Sequence, residues 1–149
     1  MDEHYTIRPA RRDDFTAVRA LLEDARLPLD GLEEQFGDGY AIAIDISGRA
    51  VGVEGIEVYG DSGLLRSAAV TGTHRGLGIG DALTRDRIAW ARARGLRDVY
   101  LLTTTAATYF PRFGFVAAAR EAAPDGIQRS REFAEACPSS AQFMRLPLA

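Results

Sequence analysis

Arg75, Gly76, Gly78 and Gly80 stand in the run Arg75-Gly76-Leu77-Gly78-Ile79-Gly80, where an extended apolar pattern gives way to a helical one. Glycines at alternate positions strip side chains from the start of a helix, so bare backbone N–H groups can converge on one point. Those groups and the positive end of the helix dipole favour an anion, phosphate above all. Arg75 adds a full charge and a fork of donors suited to phosphate oxygens. A nucleotide-binding P-loop would need Gly-Lys-Ser/Thr after its glycines, and Gly80 is followed by Asp81-Ala82. A dinucleotide fingerprint would need GxGxxG directly after a strand. Here the spacing is GxGxG, Thr71–Arg75 intervene, and Asp98 would begin the next strand rather than end it.

Two acids and one arginine stand upstream. Glu54 and Glu57 lie three apart on a predicted strand, so they point to opposite faces and only one can serve a ligand. Glu57 is nearer the turn into the following strand and has Tyr59 on its own face, which favours it; a solvated acid is the competing reading. Arg66, mid-way along an apolar run, is costly to bury unless paired. It either holds an acid group of a ligand or forms an ion pair with Glu57 or Glu54. Ser67 alternates with it and is expected on the other side of the strand. Thr103, Thr104 and Thr105 close a later strand, where one can cap the next helix while another touches a ligand.

Other chemistries are excluded or poorly supported. All 18 cationic residues are arginine, so no lysine exists to act as nucleophile or Schiff base. The arginines are scattered rather than striped, which gives nucleic acid little to bind. The single cysteine, Cys137, permits no internal disulfide, and His4 and His74 are far apart and outside any HxxxH or CxxC spacing, so no metal site is expected. No apolar run approaches the ~20 residues of a membrane span and the first residues lack the apolar core of a signal peptide, which predicts a cytoplasmic protein without a membrane partner.

The elements that must position these residues follow from periodicity. The 149 residues suit a single domain, 1–149, with a net charge of −3 and 46% hydrophobic residues. A first strand is predicted at Tyr5–Arg8, then a helix with Phe15, Val18, Leu22 and Ala25 on one face, and a short helix over Leu29–Phe36. Tyr40–Ile46, with Tyr40, Ile42, Ile44 and Ile46 on one face, then Ala50–Tyr59 and Leu64–Thr71 form an antiparallel meander. A helix from Gly78 to Arg94 turns Ile79, Ala82, Leu83, Ala89, Trp90 and Ala93 inward, and Gly95 stops it. Asp98–Thr103, a helix Ala106–Phe113, and strands Phe115–Ala119 and Phe143–Leu146 complete the chain. The crossing from Leu64 through the long helix to Leu101 requires a parallel pair with a right-handed connection. One mixed α/β (α+β) sheet with helices on both faces is the expected architecture.

Arg75-x-x-Gly78-x-Gly80, behind a strand ending Ala69-Val70, resembles the R/Q-x-x-G-x-G/A motif of the GNAT superfamily of acyl-CoA N-acyltransferases. Phe113-Gly114-Phe115 resembles the family's closing "GF", and the element order is similar over nearly the whole chain. The resemblance implies a mostly antiparallel sheet with a central splayed parallel strand pair, and acetyl-CoA as cofactor. Its pyrophosphate would lie on Arg75, Gly76, Leu77, Gly78, Ile79 and Gly80, and its pantetheine arm on the backbone of Ala69 and Val70. Leu64-Leu65-Arg66-Ser67, Leu101-Leu102-Thr103-Thr104-Thr105-Ala106, Ser130-x-Glu132-Phe133 and Cys137-Pro138-x-Ser140-Ala141 resemble the arsenic-resistance-associated N-acetyltransferases. That subgroup implies a small amine partner, such as an organoarsenical amino acid resembling glutamate, with Arg66, Ser67, Thr103 and Thr104 about it. A lone cysteine cannot supply the two or three thiolates that trivalent arsenic would want.

Acetyl transfer to an amine of pKa ~10.4 requires a base. Glu57, acting through water, is the expected one, and a backbone N–H near Val70 would hold the oxyanion. Many members of the family place a tyrosine four residues before the glycine of the GF motif to protonate the leaving thiol. That position is Phe110 here, and Tyr109 beside it is turned by about 100° on a helix, which leaves the acid role open between Tyr109, water and a backbone donor. The alternatives are an N-acetyltransferase for another small amine or amino acid, and a non-catalytic acyl-CoA-binding module. The sequence leaves the oligomeric state open, a homodimer among the options.

Overall fold

The computed structural model describes residues 5–29, 31–74, 76–103, 108–130 and 141–148. Arg75, Thr104, Thr105, Cys137 and His4 therefore lie outside the described residues, as do most of the stretch 130–141 and the first residues of the expected helix 106–113.

Alternating apolar residues build the strands β1 (Tyr5–Pro9), β2 (Tyr40–Asp45), β3 (Ala50–Tyr59), β4 (Ser62–Val70), β5 (Asp98–Thr103), β6 (Val116–Ala117) and β7 (Gln142–Pro147). The helices are α1 (Phe15–Asp24), α2 (Leu32–Gln35), α3 (Ile79–Arg94) and α4 (Asp125–Gln128). One seven-stranded sheet runs in the order β1-β2-β3-β4-β5-β7-β6. Every pairing is antiparallel except β4 with β5, which are joined by the α3 crossover. The mixed sheet and its parallel pair are as expected.

That parallel ladder is short. It runs from Ser62↔Asp98 to Leu65↔Leu101 and ends there, although β4 continues to Val70. The closed end is clamped: the Asp98 carboxylate accepts from the Ser62 hydroxyl at 2.5 Å, from Arg145 Nε at 3.0 Å and from the Tyr100 hydroxyl at 3.2 Å. At the open end β4 bulges. Val53 faces Ala69 while Gly55 faces Arg66, so β4 carries one more residue than β3 over that span, and Ser67 has φ +64°. A left-handed, non-glycine residue inside a strand is strained and re-aims the backbone.

Helices cover both faces. Ile79 and Leu83 of α3 pack on Ala41, Ala43 and Val51, and Ile88 and Ala91 pack near Ile56, Leu65 and Leu101. On the other face Val18, Leu21 and Leu22 of α1 and Leu32 of α2 close over Tyr40, Ile42 and Val53, while Ile127 of α4 covers Leu64 and Tyr100. Phe36 bridges Phe15 and Tyr40, with ring centroids 5.3 and 5.2 Å away.

Several elements depart from expectation. Ile46 falls beyond the end of β2 and is 83% exposed. The short helix is only Leu32–Gln35, begun at Gly31 with φ +79°. Residues Phe110–Phe113 form one 3-10 turn, stopped by Gly114 at φ +103°, and the expected strand Phe115–Ala119 shrinks to Val116–Ala117. The inward face of α3 is Ile79, Leu83, Thr84, Arg87, Ile88 and Ala91, whereas Ala89 and Ala93 are exposed. Two polar residues rotate that face. Thr84 bonds to β3, and Arg87 donates to the Asp38 carbonyl at 2.8 Å and to Asp86 at 2.7 Å while lying over the Trp90 ring. The outer face of α3 carries exposed Arg85, Arg92 and Arg94. No helix among the described residues is long and apolar enough to cross a membrane.

Gly55 is the seat of the Tyr40 ring, which a methyl group there would strike. Gly55→Ala is therefore expected to cost ~1–3 kcal/mol by overpacking. Gly37→Ala, whose methyl meets nothing within 4 Å, serves as the control. Thermal melts of both variants beside the parent check this; equal midpoints would contradict it.

Candidate active site

A cavity of about 470 Å³ opens where β4 leaves β5. Its lining comes from the turn before α3 (His74, Gly76, Gly78), the first turns of α3 (Ile79, Gly80, Asp81, Leu83, Thr84), the β4 edge (Ala68, Ala69, Val70), Val53 and Glu54 of β3, and Tyr109 and Phe110.

At one end lies the glycine turn. Gly76 and Gly78 both have φ +82°, a conformation that explains glycine at each, and the space over both is open. Gly78 caps α3 with no side chain bonded over the first turn, so the N–H groups there face the cavity mouth. Of the residues expected to hold phosphate and pantetheine, Ala69, Val70, Gly76, Gly78, Ile79 and Gly80 line this cavity. Ile79 is 1% exposed with its side chain in the core, so only its backbone faces the cavity, and Leu77 turns its side chain to solvent. His74 borders the same end, with Nδ1 2.9 Å from Thr73 Oγ1 and Nε2 3.8 Å from Asp45 Oδ2. Hydrogen bonds from the Arg49 backbone and the Ser47 side chain hold the Asp45 carboxyl below its ordinary range.

At the other end lies a buried acid, Glu54, 1% exposed. Thr84 Oγ1 donates between its two oxygens, at 2.8 and 2.9 Å. Burial pushes this carboxyl up to about 8, against the opposing effects of the Thr84 hydrogen bond and the Arg87 charge. Tyr109 donates to Asp81 Oδ1 at 2.6 Å, and the Arg112 guanidinium lies over its ring at 4.5 Å. Burial first, and then that hydrogen bond, raise the phenol above its ordinary value, so it keeps its proton. Phe110 packs its ring against Phe115 and lines the cavity as an apolar wall.

Glu57 lies on the opposite face of β3 and does not line the cavity. Its carboxylate accepts from Arg66 Nη1 at 3.0 Å and from the Tyr59 hydroxyl at 2.6 Å. Arg66 also donates to the Pro28 carbonyl at 2.9 Å and to Ser67 Oγ at 3.1 Å. Arg66 and Ser67 were expected on opposite sides of β4. The left-handed turn at Ser67 breaks the alternation and brings the two side chains together. Thr103 ends β5 outside the cavity lining. Sequence reasoning weighed Glu54 and set it second; it missed Thr84 and Asp81 as site residues, because a threonine and an aspartate inside a helix carry no signal of their own. Among the described residues no cluster of His, Cys, Asp and Glu could hold a metal ion.

The model of the acetyltransferase (GNAT) family matches residues 5–115. No curated protein matches the sequence. Among solved structures, Rv2747 from Mycobacterium tuberculosis in complex with CoA and NLQ is similar at 26% identity and a TM-score of 0.81, over 97% of this chain and 99% of that one. N-acetylglutamate synthase from Neisseria gonorrhoeae, complexed with coenzyme A and N-acetyl-glutamate, is similar at 21% identity and a TM-score of 0.82, over 100% of this chain and 36% of that one. The present chain thus spans about a third of that protein's length. The ribosomal-protein-S18-alanine N-acetyltransferase from Escherichia coli follows at 20% identity and a TM-score of 0.74, over 97% and 94%. At 20 and 21% identity the likeness is one of fold.

Two stability measurements follow from the two acids. Arg66→Met leaves Glu57 buried without its cation and is expected to cost ~3–5 kcal/mol. Arg19→Met, at the exposed pair with Glu23, should cost under ~1 kcal/mol; urea unfolding of both decides. Glu54 binds its proton more tightly folded, at about 8, than at the ordinary 4.5. Its contribution is complete below that ordinary value and is lost as the pH rises through about 8, by at most ~1.4 kcal/mol per pH unit. Glu54→Gln should flatten this slope, and an unchanged slope would place the titration elsewhere.

Proposed function

The chain belongs to the acetyltransferase (GNAT) family, and from that premise we propose that it transfers an acetyl group from acetyl-CoA to the amine of a small molecule, with Glu54 as the base. The observation that carries this reading is the single cavity joining the glycine-rich start of α3, the β4 edge and the buried Glu54. A phosphate end and a proton-accepting end lie on one ligand path.

The residues present fit acetyl-CoA. The backbone of Gly76, Leu77, Gly78, Ile79 and Gly80, with Arg75, would hold the pyrophosphate; Ala69 and Val70 would hold the pantetheine arm, and the Val70 N–H would hold the oxyanion. The bound cofactor supplies an activated acetyl thioester whose thiol, pKa ~8.5, leaves as thiolate without strong acid help. Glu54 takes the role first expected of Glu57. A carboxyl poised at about 8 is matched to an amine that must lose a proton near neutral pH. Tyr109, and not Phe110, brings a phenol to the cavity as a hydrogen-bond donor. Arg66 and Glu57 enter as the ion pair that holds the Pro28 segment, and Ser67, Thr103 and Thr104 as candidate acceptor contacts. Resemblance to the arsenic-resistance-associated subgroup makes an organoarsenical amino acid the first acceptor to try, other small amines and amino acids the second. The chain acts as a single domain in the cytoplasm.

Calorimetric titration with acetyl-CoA should give roughly micromolar binding that Arg75→Glu abolishes. Release of CoA is then followed with a panel of amines. Glu54→Gln should lower kcat by ~10²–10⁴ with the Kd for acetyl-CoA unchanged, and the parent rate should climb as the pH rises through about 8. Full activity in Glu54→Gln, or an intact protein that binds no acetyl-CoA, would overturn the proposal.

A further inference from the structure

The sheet holds the backbone at Glu54 from one side only. Glu54 pairs with Ala41 of β2, but on β4 the ladder passes from Val53↔Ala69 to Gly55↔Arg66. Glu54 therefore faces the two residues of the bulge, Ser67 and Ala68, with no register partner there. A side chain on such a stretch needs a hold from another element, and α3 supplies it. A threonine inside a helix commonly turns its hydroxyl back to the carbonyl one turn earlier. Thr84 instead crosses to β3, with Oγ1 2.8 and 2.9 Å from the two Glu54 oxygens, and both side chains are buried at the cavity wall.

The charged groups nearby are engaged elsewhere. Arg87 and Asp86 of α3 act on Glu54 with opposite sign, but Arg87 donates to the Asp38 carbonyl and to Asp86 itself. Arg66 of β4 turns to Glu57 on the opposite face. Ala41, Ala68 and Ala69 are what β2 and β4 bring to this place. Across the cavity Tyr109 gives its hydroxyl to Asp81, and His74 stands at the far end beside the glycine turn. A hydroxyl has one O–H to give and two lone pairs to receive with. It can donate to a carboxylate and, by rotating about its C–O bond, accept from the carboxylic acid that the same group becomes.

We propose that Thr84 is the positioning residue of the base: its hydroxyl fixes the Glu54 carboxylate at the cavity wall as a donor and stays its partner, as an acceptor, once Glu54 has taken the amine proton. This rests on the reading of Glu54 as the base. The amine N–H bond breaks with its electron pair left on nitrogen, an O–H bond forms on Glu54, and Glu54 returns the proton to water after the product has left. Nothing is oxidised or reduced, and Thr84 neither gains nor loses a proton. Valine keeps the shape of threonine but can play neither part, and a buried polar group stripped of its partner is costly.

The test compares Thr84→Val and Thr84→Ser with the parent and with Glu54→Gln. In the free protein, NMR of ¹³C-labelled glutamate carboxyls should show Glu54 titrating about one pH unit higher or more in Thr84→Val, since the charged form has lost its donor. Thr84→Ser should stay near the parent. In turnover the rise of rate with pH should move up with the titration: Thr84→Val loses ~10-fold in kcat at neutral pH and regains ground as the pH rises, with the Kd for acetyl-CoA unchanged and Thr84→Ser close to the parent. Where Thr84→Val does not fold, Thr84→Ala is read the same way. An unmoved Glu54 titration in the hydroxyl-free variant, or a kcat loss equal at every pH, beside an inactive Glu54→Gln, would overturn the role of Thr84 alone. A parent without turnover, or an active Glu54→Gln, would defeat the assignment of the base and the role of Thr84 with it.

Discussion

Two strands that leave a shared ladder must each redirect the backbone groups they held in common, and here the ladder between β4 and β5 stops at Leu65↔Leu101. The cavity, the line of β4 backbone along it and the place of the glycine turn all depend on that parting. Two devices hold it open. Asp98 and its three donors fix the closed end. At the other end the extra residue in β4 and the left-handed Ser67 swing the strand away. Strain at Ser67, of order 1–3 kcal/mol, persists because the buried Arg66 before it, held by Glu57, the Pro28 carbonyl and Ser67 Oγ itself, over-determines the turn.

Within this frame two glutamates three residues apart meet opposite fates. Glu57 faces a guanidinium, a phenol and a packed segment, and its charge is neutralised where it stands. Glu54 faces the Thr84 hydroxyl on α3, so burial is answered only by that neutral donor and a more distant arginine. The first arrangement holds structure together, since a buried pair resists removal of either partner. The second leaves a carboxyl whose two protonation states lie close in free energy near neutral pH, which is the condition for proton transfer.

The glycine run was legible because positive φ and open space over a helix start demand glycine and nothing else, and Gly76 and Gly78 meet that demand. Element order was legible from alternation in β2, β3 and β4 and from the helical spacing of α1. The division of labour between Glu54 and Glu57 was not. A separation of three tells that two side chains part, but only the partner of each, Thr84 or Arg66, tells which faces a cavity. The bulge defeated the strand rule at Ser67, where no residue type announces a left-handed turn. On α3, counting Ala89 and Ala93 as inward set the helix off by part of a turn, since alanine suits either side and the polar Thr84 and Arg87 occupy inward positions instead.

The outer face of α3, the helix whose first turns line the cavity, presents Arg85, Arg92 and Arg94 to solvent, and the chain has no lysine. A protein that harbours a reactive thioester, as proposed, risks having its own primary amines become acceptors. Guanidinium groups, with pKa above ~12, stay protonated and non-nucleophilic at every working pH. The helix therefore keeps a positive surface while offering the acyl donor no side-chain amine of its own, and adventitious self-labelling does not compete with the intended acceptor.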